Sequence, residues 1–131
     1  MPTGGCHCGA VRYSVGGEVK HSGVCHCETC RRTTGALTTA WVAFATDELA
    51  VEGEPARYSS SDGVERRFCA TCGTSLFYFN EAMMPGVVDI LIATLDDPDG
   101  YRPGVHVNMA DAIAWEASLD ELPKFERFPS Q

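Results

Sequence analysis

Seven cysteines confined to three short clusters constrain this chain more than any other feature: Cys6-His7-Cys8, Cys25-His26-Cys27-Glu28-Thr29-Cys30 and Cys69-Ala70-Thr71-Cys72-Gly73. An odd number cannot pair off completely into disulfides, and inert buried thiols explain single cysteines better than clusters. Closely spaced pairs let the chain curl around a metal so that both sulfurs converge, and zinc in a structural site takes four ligands in a tetrahedron. A small residue after a pair, here Gly73, permits the tight turn. Seven thiolates fill one four-sulfur site and leave three. Cys25, Cys27 and Cys30 lie within six residues and can meet at one metal through local backbone geometry. Cys6/Cys8 and Cys69/Cys72 then form a four-sulfur site between segments about sixty residues apart. The sequence does not force this partition, but it is the most economical one. A closed set of four cysteines is a structural site; three ligands with an open fourth position is the catalytic arrangement.

Other readings stand beside it. A CxxC pair is often redox-active, although neither pair here sits in a thioredoxin-like βαβ pattern. Cys25, Cys27 and Cys30 would make a purely structural site if a histidine completed them. His7 and His26 each lie between paired cysteines, so their side chains are expected to point away from a metal held by the flanking sulfurs. His21 reads as a solvent-facing loop residue. His106 alternates with Val105 and Val107, and is either a satisfied polar group on a strand or a group near the open metal.

The remaining residues favour one mainly β domain, numbered 1–131 with its core at about 4–125. Residues 10–15, 38–44, 56–59, 64–68, 75–79, 87–95 and 105–108 read as short strands rich in Val, Thr, Tyr, Phe and Trp, separated by Gly-Gly, Asp-Gly and Pro-Gly turns. Trp41, Phe44, Phe77 and Phe79 are spaced for strand faces. Helix is scarce: one short segment is expected after Cys27, through Arg32, and residues 111–117 are ambiguous. The acidic Asp96-Asp97-Pro98-Asp99-Gly100 run reads as a turn, since it lacks the ligand spacing of a calcium loop. A formal net charge of −8 excludes a phosphate-backbone binder and a polybasic membrane-surface protein. The longest apolar run, residues 40–45, is far short of the roughly 18 residues of a membrane span. The first residues lack the charged and apolar regions of a signal peptide. A cytoplasmic protein with reduced thiols is the expectation.

Several stretches taken together resemble the glutathione-dependent formaldehyde-activating enzyme (GFA) family, also described as the centromere protein V/GFA domain. They are Gly4-Gly5-Cys6-His7-Cys8-Gly9-Ala10-Val11-Arg12-Tyr13, Cys25-His26-Cys27-Glu28-Thr29-Cys30-Arg31, and Gly35 with Trp41-Val42-Ala43-Phe44. Arg67-Phe68-Cys69-Ala70-Thr71-Cys72-Gly73-Thr74, Leu95-Asp96-Asp97-Pro98, His106, Ala114-Trp115 and Leu122-Pro123-Lys124-Phe125 complete the match. The resemblance implies a domain of short antiparallel strands, the Mss-four-like β-tent, organised around two zinc ions per chain. Cys6, Cys8, Cys69 and Cys72 would hold the structural zinc, and Cys25, Cys27 and Cys30 the catalytic one. The implied activity is that of a carbon–sulfur lyase running in reverse, joining a small-molecule thiol such as glutathione to an aldehyde, formaldehyde in the family's name. Arg31 and Arg32 are candidate anchors for a substrate carboxylate, and His106 a candidate substrate contact. The alternative is a non-catalytic scaffold in which both metals are structural.

Overall fold

The computed structural model describes residues 1–129. Its core grows from residues 39–45, where successive apolar side chains bury both faces of one strand. This is β4 (Thr39–Ala45), whose near-continuous hydrophobic run is what a strand covered on both faces requires. Val42 and Phe44 point into the main core with Phe77, Phe79, Val88 and Ile90. On the other face, Trp41 packs with Cys25 and Cys30 in a second, smaller cluster. The strand therefore couples the core directly to one group of cysteines.

Among the described residues there are ten strands and one short α-helix, with 3-10 turns between them. The strands before β4 are β1 (Thr3–Gly5), β2 (Arg12–Val15) and β3 (His21–Cys25); after it come β5 (Leu49–Glu52), β6 (Ala56–Ser61), β7 (Val64–Phe68), β8 (Ser75–Asn80), β9 (Val87–Leu91) and β10 (His106–Val107). The helix α1 (Glu28–Thr34) lies between β3 and β4. A three-stranded sheet in the order β1-β2-β5 faces a seven-stranded sheet in the order β10-β3-β4-β9-β8-β7-β6. Val11, Tyr13 and Val15 from the small sheet and the loop before it enter the core of the large one. Strand pairs are antiparallel except β10, which lies parallel to β3. The fold is mainly β, as the strand pattern predicts.

The expected strands differ mostly at their ends. The 87–95 segment leaves the sheet at Leu91 and closes in a 3-10 turn, Ile92–Thr94. The 105–108 segment pairs over two residues only. The ambiguous 111–117 region forms 3-10 turns, Met109–Asp111 and Ala114–Glu121, and the acidic run turns at Pro98–Gly100. β1, β3 and β5 were not apparent in the pattern. A Thr-Gly-Gly strand has no side-chain period to read, and His21-Ser22-Gly23-Val24-Cys25 mixes polar and small residues because one of its faces lines a cleft. Among the described residues no helix is long and apolar enough to cross a membrane.

Candidate metal centre and the adjoining cleft

The cysteines assemble into the two groups expected of them. Cys6, Cys8, Cys69 and Cys72 bring four sulfurs within 4.8 Å of one another, and so do the three of Cys25, Cys27 and Cys30. All seven thiols are free. In the group of four, Cys6–Cys8 and Cys8–Cys69 sulfur separations are both 3.7 Å. A tetrahedral ion with metal–sulfur bonds of about 2.3 Å requires sulfurs about 3.8 Å apart. The spacing therefore fits zinc and is far too long for a disulfide.

Each half of this group is a tight backbone loop ended by a glycine. Gly9 (φ 83°) follows Cys8 and bonds back to the Cys6 carbonyl at 3.2 Å; Gly73 (φ 83°) follows Cys72 and bonds to the Cys69 carbonyl at 2.9 Å. Such positive φ values are strained for side-chain-bearing residues, which is why glycine ends both loops. The loops also aim N–H groups at sulfur. Val11 donates to Cys6 at 3.2 Å, and Thr71 and Cys72 donate to Cys69 at 3.4 Å. The Thr74 hydroxyl and backbone draw the Cys72 thiol down to about 5. Cys8 is drawn down by the Ala10 backbone, but lost hydration and the neighbouring sulfurs outweigh this and push it up to about 11. Four crowded thiols cannot all ionise alone; a divalent cation removes that conflict.

The group of three is built by a helix start and a borrowed strand. Cys27 caps α1, its sulfur accepting the Cys30 N–H at 3.3 Å, and Gly35 (φ 70°) ends the helix two residues beyond the expected Arg32. Asp111 reaches the Glu28 N–H at 3.3 Å from the 3-10 turn after β10. β10 pins the knuckle from outside: Val24 N–H meets the Val105 carbonyl at 2.8 Å, and His26 N–H meets the Val107 carbonyl at 3.1 Å.

Two side chains that the sequence did not single out complete this group. Asn108 adopts a left-handed conformation (φ 57°) and donates its amide to Cys25 Sγ at 3.3 Å. Backbone strain of that kind persists where surrounding structure holds it, often at functional sites. Arg66, 9% exposed, places both terminal nitrogens on Cys30 Sγ at 3.5 and 3.6 Å. Its Nε donates to Ser60 at 2.8 Å, its Nη1 to Thr33 at 3.2 Å, and the guanidinium lies 4.8 Å from the centre of the Tyr78 ring. Among the described residues it meets no carboxylate. A buried cation without a carboxylate is costly, so a neighbouring thiolate is its natural counter-charge.

The three sulfurs open into a cleft of about 390 Å³. Trp41, Val105 and Val107 form apolar walls, and His21, Asp89 and Tyr78 supply polar groups. Register explains the polar set: His21 pairs with Ala43, Ala43 with Asp89, Asp89 with Tyr78 and Tyr78 with Arg66, one cross-strand row over β3, β4, β9, β8 and β7. His21 is therefore not a loop residue as expected. It opens β3, and its Nε2 sits 2.9 Å from Asp89 Oδ1. Burial pushes the Asp89 carboxyl up, against the pull of His21. Four residues along a strand is roughly 13 Å, so His21 stands at the opposite end of β3 from Cys25 rather than beside its sulfur.

The other sequence candidates are distributed differently. His106 turns away from the cleft and meets His26, Nδ1 to Nε2, at 2.9 Å, while its neighbours Val105 and Val107 line the cleft. His26 is buried and engaged by that ring, and its ring nitrogens do not join the three-cysteine group. Arg32 pairs with Glu28 at 2.9 Å and faces a neighbouring cleft. Arg31 has a buried Nε without a hydrogen-bond partner and lines neither cleft.

A sequence model described as "Glutathione-dependent formaldehyde-activating enzyme" (GFA) matches residues 1–111. The chain belongs to the GFA family. It is 32% identical over 75 residues to an uncharacterized lyase of Schizosaccharomyces pombe, covering 57% of this chain and 55% of that protein. The chain thus spans about half the length of that protein. It is also 32% identical over 123 residues to a Halomonas elongata protein that carries the provisional name of a glutathione-dependent formaldehyde-activating enzyme, covering 86% of this chain and 77% of that one. A crystal structure of a Rhodobacter sphaeroides protein superposes with a TM-score of 0.61 at 27% identity, covering 79% of this chain and 97% of that one.

Proposed function

We propose that this GFA-family chain is a zinc-dependent carbon–sulfur lyase-type enzyme that joins a small-molecule thiol such as glutathione to an aldehyde such as formaldehyde. In this reading residues 1–131 form one zinc domain. Cys6, Cys8, Cys69 and Cys72 hold a structural zinc, and Cys25, Cys27 and Cys30 hold a second zinc whose fourth position is open. The reading also places the protein in the cytoplasm, where thiols stay reduced. The observation that carries it is the mouth of the cleft: three sulfurs converge there with space, and not a fourth sulfur, in front of them.

When bound, zinc would keep a thiol ionised at neutral pH and orient it. The protein's own groups then act on charge and water. Arg66 and Asn108 take up part of the negative charge on Cys30 and Cys25, so a further anionic sulfur is less strongly repelled. The apolar walls exclude water that would hydrate the aldehyde. The substrate sulfur attacks the aldehyde carbon and a carbon–sulfur bond forms. The carbonyl π pair moves to oxygen, which takes up the proton given up by the thiol. No atom is left over.

Elemental analysis is expected to give two zinc ions per chain, one lost to chelator much faster and without unfolding. NMR of glutathione with formaldehyde should show the S-hydroxymethyl adduct forming faster with zinc-loaded protein than without it, and at the spontaneous rate with Cys27→Ser. An unaccelerated reaction would overturn the formaldehyde reading. Two equally resistant metals would favour a scaffold.

A further inference from the structure

Past the Asp111 carboxylate, which accepts the Glu28 N–H, the chain leaves the two sheets. From Ala114 to Pro129 every residue but Glu116 is exposed. Among the described residues, the hydrogen bonds of residues 113–129 stay within the segment. Glu116 N–H meets the Ile113 carbonyl and Leu122 N–H that of Leu119; the Ser118 hydroxyl donates to the Trp115 carbonyl and the Lys124 ammonium to that of Asp120. This arm also lies outside residues 1–111, the part that matches the GFA model.

A segment so little engaged with its own body is expected to be polar. Instead it carries Trp115, Leu119, Leu122, Phe125 and Phe128, each between 37% and 90% exposed, within fourteen residues. With about 150–250 Å² for a whole aromatic side chain, these five leave about 600 Å² of apolar surface in water. A standard interface takes about 800 Å² from each partner, somewhat over half of it apolar. The arm alone therefore carries the apolar part of a stable contact, where scattered single hydrophobic residues would need no partner.

The charges on the arm identify the partner. Glu116, Asp120 and Glu121 occupy its first half, and Lys124 and Arg127, with Glu126, its second. Among the described residues none of the six is in an ion pair. A two-fold axis crossing the arm runs the arms of two copies antiparallel, and sets the basic half of each against the acidic half of the other. The segment is thus complementary to itself, as an isologous contact requires. Four acidic against two basic residues match an anionic membrane surface poorly. We infer that residues 112–129 are a docking arm for a second copy of this chain. Two arms pair antiparallel, with their apolar side chains between them and Lys124 and Arg127 of each facing the acidic half of the other. The inference is independent of the thiol chemistry proposed above.

Sedimentation velocity of the zinc-loaded full chain, from low micromolar to near-millimolar concentration, should show a monomer–dimer equilibrium. Phe125→Ser/Phe128→Ser replaces two exposed side chains, so its melting curve at low concentration should match the parent while the dimer is lost. Lys124→Glu/Arg127→Glu makes the arm wholly acidic, and Asp120→Lys/Glu121→Lys makes it mainly basic. Each variant alone should dimerise about tenfold to a hundredfold more weakly, because attractive pairs become like-charge contacts. Mixed in equal amounts, the two should recover a dimer of parental strength containing one chain of each. A parent that stays monomeric overturns the inference, and its co-sedimentation with phosphatidylcholine vesicles would then mark a membrane-docking segment. A dimer that survives Phe125→Ser/Phe128→Ser is held elsewhere and overturns it equally. Charge variants that fail to recover on mixing overturn the antiparallel pairing.

Discussion

Replacing one sulfur in each cysteine group separates their structural weights. Cys72→Ser and Cys27→Ser each remove one ligand, and neither residue is buried in the core, Cys72 being exposed and Cys27 intermediate. What differs is the length of chain the group closes. Cys8 and Cys69, held 3.7 Å apart, are 61 residues apart in sequence, whereas Cys25 to Cys30 span six residues. Loop-closure entropy scales as three-halves RT times the logarithm of length, so the long closure constrains the unfolded chain by about 2 kcal/mol more than the short one. A chain of 131 residues unfolds with an entropy of about 0.28 kcal/mol/K, at about 2.1 cal/mol/K per residue. Hence Cys72→Ser should lower the melting temperature by about 7 °C more than Cys27→Ser. Melting of zinc-loaded proteins followed by circular dichroism, with metal content measured on the same samples, reads this difference. Equal shifts, or a larger one for Cys27→Ser, would refute the assignment of the four-sulfur group as the structural clasp.

Three further outcomes are expected. Asn108→Ala removes the amide from Cys25 and should weaken metal retention by the three-cysteine group about 10- to 100-fold in chelator competition, without affecting the four-cysteine group. Burial pushes the Tyr13 phenol up to about 12, above its ordinary value near 10. The neutral phenol therefore stabilises the fold fully below about pH 10, and that contribution is lost as pH rises toward 12; Tyr13→Phe, which also forfeits the 2.8 Å bond to Thr94, should flatten the alkaline limb of the melting profile while costing about 1 kcal/mol at neutral pH. The Arg12 guanidinium, with the Thr3 hydroxyl, holds the Asp96 carboxyl down at about 2. Its contribution is present above about pH 4 and lost as pH falls toward 2, so Asp96→Asn should reduce the acid slope of stability, and high salt should do the same to the parent because the pair is exposed.

The grouping of the cysteines could be read from the chain because it depends on local geometry: a pair two or three positions apart, with a glycine after it, nearly dictates a loop that aims two sulfurs at one point. Of the aromatic residues spaced for strand faces, Phe44, Phe77 and Phe79 pack the main core, whereas Trp41 turns to the other face and joins Cys25 and Cys30. The residues that shape the cleft could not be read from the chain. Arg66 lies on β7 among Glu65 and Arg67, where charge suggests a solvated edge; only pairing with β8 places it over Tyr78, and only the packing of α1 brings Cys30 against it. His21 became part of the cleft through a row of partners on five strands, none of them near it in sequence. Asn108 gave a weak signal, as an asparagine is a common occupant of positive φ, but its target, Cys25, is reached only because β10 docks parallel to β3.

That contrast bears on what this scaffold holds constant and what it can vary. The sulfurs sit on short loops that carry their own turn chemistry, so either group can form from local sequence once the core has brought the halves together. The groups facing a substrate instead stand on strands at alternating positions, on the opposite side of the sheet from Val42, Phe44, Val88 and Ile90. A substitution at His21, Asp89 or Tyr78 therefore changes the lining of the cysteine cleft while leaving those core contacts in place. Two proteins with this fold can thus share every cysteine and still differ in the polar groups that line the cleft.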